Sequence, residues 1–265
     1  MDLELTDNVA LVTASSSGLG KASGRVLASE GANVVLNGRD QDRLDSAVEE
    51  VSEAAADTAS VVGHAGDLTD PDDVAALVER PIAEFGGLDH LVLSAGGPPS
   101  KPFLQTTDEE WYDAFDLLVM SVVRAVRAAE EYLTESDHGT IVNITSASVK
   151  EAIDGLVLSN AVRMSVIGLE KTLSKELAPD IRANAVLPGT HETPRIEELV
   201  EQGVERGDHD SYEAGLKEWA DGIPIGRVGD PMELGRTVAF LSSPVSTYLD
   251  GVAIPIDGGS GQSNL

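Results

Sequence analysis

The 265-residue sequence has no cysteine, which excludes disulfides and thiolate chemistry. That fits a reducing compartment. Lysine is scarce, with six residues against twelve arginines. No run of eighteen or more apolar residues occurs, so no transmembrane helix is expected. The opening MDLELTDNVALVTASSS is acidic and lacks a basic region followed by an apolar core, so no signal peptide is expected. There is no internal repeat and no low-complexity linker. No group of His, Asp and Glu has metal-ligand spacing, so no catalytic metal is expected. These absences together predict a soluble cytoplasmic protein.

What is abundant is negative charge. There are 46 acidic and 18 basic residues, a net charge of −28. Such a field repels phosphate, so nucleic acid and anionic membrane are poor partners. The acids are spread through periodic segments, and 42% of residues are hydrophobic, which excludes an acidic tail or a disordered chain. A dispersed acidic surface of this kind suits multimolar salt, which screens its self-repulsion. The sequence therefore predicts a halophilic protein that unfolds at low salt.

The chain alternates apolar runs with helical patterns. Strands are predicted at Asn8–Thr13, Ala32–Leu36, Ala59–His64, Leu88–Leu93, Ile141–Ile144, Ile181–Leu187 and Gly251–Asp257. Between them lie helices from Lys21 to about Glu30, from a cap at Asp40 to about Ala56, and from Asp70-Pro71 to about Phe85. Long helices follow at Thr107–Leu133 and Leu156–Ala178, and a last one starts at Asp230-Pro231. Strand–helix alternation with continuously apolar strands indicates parallel βαβ units covered on both faces. At this length one domain is common for such folds. The expected architecture is α/β: a single-domain Rossmann-type doubly wound sheet of about seven parallel strands with helices on both faces, spanning residues 1–265. Glu192–Asp221 is polar and helix-prone, and is expected to form a flap over the crevice; the plain alternative is a solvated surface excursion.

In such a sheet the ligand crevice lies at the carboxyl ends of the strands. The first strand enters Ala14-Ser15-Ser16-Ser17-Gly18-Leu19-Gly20 and then a helix. A helix N-terminus offers free N–H groups and partial positive charge to a pyrophosphate, and glycines let the backbone approach it. Thr13 to Gly20 resembles the TGxxxGxG turn of the short-chain dehydrogenase/reductase family. Gly66-Asp67-Leu68 is similar to its adenine-contacting segment, and Ser94-Ala95-Gly96 to the AG of its NNAG segment. Ile141 to Ser146 resembles its IVNISS strand, Ala183 to Thr193 its VNxVxPGxxxT segment, and Ile254 to Gly259 its closing V-DGG. The matches span nearly the whole chain in order, and the 3-oxoacyl-ACP reductase-like members are the most similar group.

The resemblance implies a nicotinamide cofactor held by Thr13, Ala14, Ser16, Ser17, Gly18, Leu19, Gly20, Asp67, Leu68, Ala95, Gly96, Pro188, Gly189, Thr190 and Thr193. Ala14 stands where the family's first glycine lies, and Ser94 where an asparagine is usual. The cofactor is expected still to fit, with altered affinity. An acidic residue at the end of the second strand would select NAD. Gly38 and Arg39 stand there instead, and a guanidinium can pair with a 2′-phosphate. NADP is therefore expected, with NAD as the alternative.

The family uses a serine, a tyrosine thirteen residues later and a lysine four beyond that. Ser146 fits the serine, so the tyrosine position is Ser159 and the lysine position Arg163. The family's relay asparagine falls at Leu118. A serine hydroxyl is shorter and far less acidic than a phenol. Arg163 does not donate a proton, but it can hold ribose hydroxyls and stabilise an alkoxide. Lys150 and His191 are further candidates for the acid, the plain alternative for each being a solvated side chain. Tyr112, Tyr132, Tyr212 and Tyr248 are off register. The expected function is transfer of a hydride between NAD(P) and a small carbonyl or alcohol by an atypical route. The alternatives are a cofactor-binding protein without turnover, or a non-redox lyase or dehalogenase on the same scaffold. The family resemblance also implies a homo-oligomer, a tetramer or dimer, built through the two long helices.

Overall fold

The computed structural model describes residues 1–263. Seven parallel strands form one sheet in the order β3-β2-β1-β4-β5-β6-β7. They are β1 (Val9–Val12), β2 (Asn33–Gly38), β3 (Val61–Ala65), β4 (His90–Leu93), β5 (Thr140–Ile144), β6 (Arg182–Pro188) and β7 (Ala253–Ile256). The strand order reverses between β1 and β4, which opens a crevice beyond their carboxyl ends. The expected fold class is the one observed.

Side chains alternate along each strand, and this alternation builds two cores. Leu11, Leu91, Leu93 and Ile141 point to one face, where α3 (Pro71–Phe85), α5 (Ser121–Glu135) and α6 (Val157–Glu176) cover them. Ala10, Val12, Val92 and Val142 point to the other, under α1 (Gly18–Ser29), α2 (Gln41–Ser52) and α9 (Pro231–Ser242). Each fully buried leucine contributes about 1.5–3 kcal/mol of transfer free energy.

Helix ends follow the local chemistry. Asp70 accepts from the N–H groups of Asp72 and Asp73, Pro71 opens α3, and Gly86 closes it in a left-handed conformation. Thr107 and Glu110 form a capping box for α4 (Asp108–Phe115). The helix expected over Thr107–Leu133 is interrupted: Asp116–Met120 forms a π turn between α4 and α5. The Glu192–Asp221 segment contains α7 (Pro194–Arg206) and α8 (Tyr212–Ala220), which pack together and bury Val200 completely. No helix among the described residues is long and apolar enough to cross a membrane.

Candidate active site

The crevice has two joined halves. The first is lined by the β1–α1 turn, the ends of β2 and β4, and Asp67 and Leu68. Ser17 is the extended N-cap of α1, and Gly18 has φ +56°. A Cβ on Gly20 would lie 2.6 Å from the Ala14 carbonyl oxygen, so the turn closes here only because glycine has none. Ala14 adopts φ +45°, which explains why the family places glycine at this point. The Thr13 hydroxyl donates to the Ser94 carbonyl at 2.6 Å and accepts from the Ser94 N–H at 2.8 Å, locking β1 to β4 at the switch point. Asn37 accepts from the Ala14 N–H at 3.0 Å and donates to the carbonyls of His64 and Gly66.

Arg39 is largely exposed at the rim of this half, 3.8 Å from Asp67. The N–H and hydroxyl of Thr69 hold the Asp67 carboxyl below its ordinary pKa, with Arg39 adding to the effect. Ser16, Ser17, Leu19, Ala95 and Gly96 line the same space. Asn37, Arg43, Leu117 and Thr145 also border it and were not singled out from the sequence. Arg43 supplies a second guanidinium from the first turn of α2, whose N-cap Asp40 directly follows Arg39.

The second half is the larger, a cleft of about 1980 Å3 including its open mouth. Ser146, Lys150, Ser159, Arg163, Pro188, Gly189, Thr190, His191 and Thr193 all line it. Leu19, Thr145, Arg163 and Thr193 border both halves, so Arg163 sits where they meet. Ser146 follows β5 in extended conformation, and its hydroxyl accepts from the Ser148 N–H at 3.1 Å. The Ser148 hydroxyl lies 3.4 Å from that of Ser159. Ser148 is buried, and the sequence reading missed it between two residues already marked.

Arg163 is 9% exposed, and no carboxylate pairs with it among the described residues. It donates to the carbonyls of Thr145 at 3.3 Å and Gly96 at 3.4 Å, while its Nε has no partner. Burial lowers its pKa to about 10. His191 is 4% exposed, so a solvated loop histidine is excluded. Its ring packs on Gly229, its Nδ1 lies 3.1 Å from the Gly189 carbonyl, and burial lowers its pKa. Lys150 is exposed at the mouth.

No tyrosine lines either half. Tyr132 donates to Glu79 and Tyr212 to Glu192, each at 2.8 Å, while Tyr112 and Tyr248 face solvent. Leu118 is buried on the sheet side of Arg163 and brings no polar atom there. Among the described residues no group of three or more His, Cys, Asp or Glu side chains is placed to hold a metal ion.

A protein-family model described as "Enoyl-(Acyl carrier protein) reductase" matches residues 13–261. The 3-oxoacyl-[acyl-carrier-protein] reductase of Thermotoga maritima is 33% identical over 258 residues, covering 97% of this chain and 99% of the relative. The structure of L-sorbose reductase from Gluconobacter frateurii, complexed with NADPH and L-sorbose, is similar with a TM-score of 0.93 at 32% identity, covering 99% of this chain and 100% of that one. A short chain oxidoreductase from Pseudomonas aeruginosa PAO1, described as containing an atypical catalytic center, is similar with a TM-score of 0.91 at 31% identity, covering 98% and 99% of the two chains.

Proposed function

The chain belongs to the short-chain dehydrogenase/reductase family, and from that premise we propose that it is an NADP-dependent oxidoreductase of small ketones and alcohols that works without the family's tyrosine. The observation that carries this reading is the meeting of the two halves at Arg163, with Ser146 and Ser159 beside it and no phenol in reach. The glycine turn fits a pyrophosphate, since Gly20 lets the backbone close tightly at the N-terminus of α1, where free N–H groups face the crevice. Arg39 and Arg43 suit a 2′-phosphate, which supports NADP over NAD. When bound, the nicotinamide supplies or accepts the hydride.

The chain's own residues stabilise and protonate the substrate oxygen. Negative charge develops on that oxygen as the carbonyl is reduced. Ser146 and Ser159 orient it by donating hydrogen bonds, and the guanidinium of Arg163 stabilises the charge. Arg163 also takes the lysine's place towards the ribose hydroxyls. The buried Ser148 hydroxyl lies 3.4 Å from that of Ser159 and holds it in place, and the proton that completes the alcohol comes through Ser159 from the open cleft that it lines. His191 does not fit the role of acid. Burial favours its neutral form, and with Nδ1–H donating to Gly189, Nε2 is an acceptor. Lys150 at the mouth remains a source of protons or a contact for the substrate.

The helices α7 and α8 act as a flap, supported by Ile196 and Thr193 on the cleft wall. The protein is cytoplasmic and halophilic, as the dispersed net charge of −28 supports. It assembles as a homo-oligomer through the long helices, where Tyr112, Phe115 and Met164 are exposed. A screen of NADPH oxidation over ketone substrates in multimolar KCl tests the function. Turnover that is lost in the Ser146→Ala and Arg163→Met variants supports it. A folded protein that binds NADPH and turns over nothing replaces it with the reading of a cofactor-binding protein without redox activity.

A further inference from the structure

The helix stripe that carries Arg163 continues through Val166 to Glu170, two turns below and on the same face. Glu170 is 2% exposed inside the fold. It accepts from the side-chain amide of Asn143 on β5, Nδ2 to Oε2, at 3.5 Å. Asn143 Oδ1 has no partner, and neither has Arg163 Nε. Both residues line one small void between β4, β5, α5 and α6, with room for about one water. One water there would accept from Nε–H and donate to Oδ1, satisfying both atoms. Glu170, Asn143 and Arg163 thus follow one another along one side of the void, whose remaining wall mixes Leu93, Leu118, Val122 and Val166 with Thr13, Ser94, Ser121 and Thr145.

We propose that Glu170 is a positioning residue for the reaction: as an uncharged acid it holds Asn143 under Arg163 and leaves the guanidinium without a counter-ion, so that its full field acts on the substrate oxygen. This rests on the reading of Arg163 as the group that stabilises that oxygen. Burial raises the Glu170 pKa to about 8, opposed by the bond from Asn143; Asp250, in the turn before β7, raises it further, and Lys171 on its own helix lowers it. Below that pH the acid is neutral. Above it a negative charge appears beneath Arg163 and cancels part of the field in the cleft. Seven residues of helix separate the two Cα atoms by about 10 Å, and the substrate oxygen lies beyond the guanidinium, so with an effective dielectric near 20 the added charge alters the rate by several-fold at most.

The test is the pH profile of kcat for ketone reduction in multimolar KCl, measured for wild type, Glu170→Gln and Glu170→Met. Wild type is expected to lose several-fold in kcat as pH rises through about 8, beyond any decline common to all variants. Glu170→Gln keeps the bond to Asn143 without titrating, and is expected to lack that step while matching wild type at pH 6.5. Glu170→Met is expected to lack the step too, and to be slower throughout because Asn143 is released. Thermal unfolding supplies the control for titration itself. The stability gain of Gln over Glu should grow as pH rises from the ordinary carboxylate range to about 8, then level. A Gln variant with that stability signature and an unchanged alkaline step overturns the proposal. Arg163→Met run in parallel separates the premises: activity retained there refutes the role of Arg163, whereas activity lost there with an unchanged Gln profile refutes only that of Glu170.

Discussion

Replacing Arg163 by methionine should remove activity and leave the fold nearly untouched. The residue is nine-tenths buried, and burial lowers its pKa from the ordinary arginine range to about 10. That displacement is worth about 3 kcal/mol against the charged form. For a base with a depressed pKa the penalty is complete at all pH below about 10 and fades as pH rises towards the unfolded value. At neutral pH it is therefore fully present. Against it stand two long hydrogen bonds, at 3.3 Å and 3.4 Å, to backbone carbonyls. At about 1.5 kcal/mol each they return roughly what burial costs. Methionine, apolar and reaching only about as far as Nε, loses both terms and leaves the guanidinium's place at the cleft to water. The expected change in stability is within about 1 kcal/mol, or about 4 °C in Tm for a chain of this size. A buried ion paired with a carboxylate would instead cost about 3–5 kcal/mol when its partner is left alone. Turnover should fall by roughly 100- to 1000-fold, the usual effect of removing one group that stabilises an oxyanion. Thermal unfolding and NADPH oxidation, both in multimolar KCl, measure the two quantities on the same preparation. A Tm lower by 10 °C or more, with activity falling in proportion to folded protein, would show a structural arginine. Activity within tenfold of wild type would remove Arg163 from the chemistry.

Three other outcomes can be checked directly. Gly20→Ala places a Cβ 2.6 Å from the Ala14 carbonyl oxygen and 3.0 Å from Ser15 Cα, both backbone atoms, so the turn must shift. A loss of about 1–3 kcal/mol in stability and at least tenfold in NADPH affinity is expected, read by thermal unfolding and fluorescence titration. Arg39→Asp opposes a 2′-phosphate with like charge and offers a carboxylate to a ribose hydroxyl. The ratio of kcat/KM for NADPH over NADH should fall by tenfold or more, and an unchanged ratio would leave Arg39 a surface residue. Lowering KCl from multimolar to dilute buffer should unfold the protein, followed by circular dichroism. Equal stability at both ends would refute the halophilic reading of the −28 net charge.

Most of the fold was legible because its signals are local. Asp70-Pro71 marked α3 to the residue, and the apolar runs marked every strand to within a few positions. The π turn at Asp116–Met120 was not read, since the one-residue shift it introduces falls inside the continuous apolar run Leu117 to Met120, where it interrupts no pattern. The cofactor turn and the positions of Ser146, Ser159 and Arg163 followed from the family resemblance and its register, and the structure brings all three of these residues to one cleft. Ser148, Asn143 and Arg43 were missed because their roles depend on contacts across elements. Glu170 did leave a trace: a charged residue on the inward stripe of α6, in line with Val162 and Val166. His191 was marked for its chemistry, and only burial and the Gly189 carbonyl define which of its nitrogens is free.

The π turn between α4 and α5 holds one residue more than an α-helix of the same rise. Its consecutive leucines face different spaces, Leu117 the first half of the crevice and Leu118 the void beneath Arg163. Asp116 at its start is clamped to Arg124 of α5 at 2.7 Å, which ties the first residue of the turn to the helix that follows it. A segment built this way can lose a residue and revert to α geometry while its flanking helices keep their packing. The helix therefore carries a replaceable slot beside the active site, through which a polar group under residue 163 can be gained or lost over evolutionary time without rebuilding the domain.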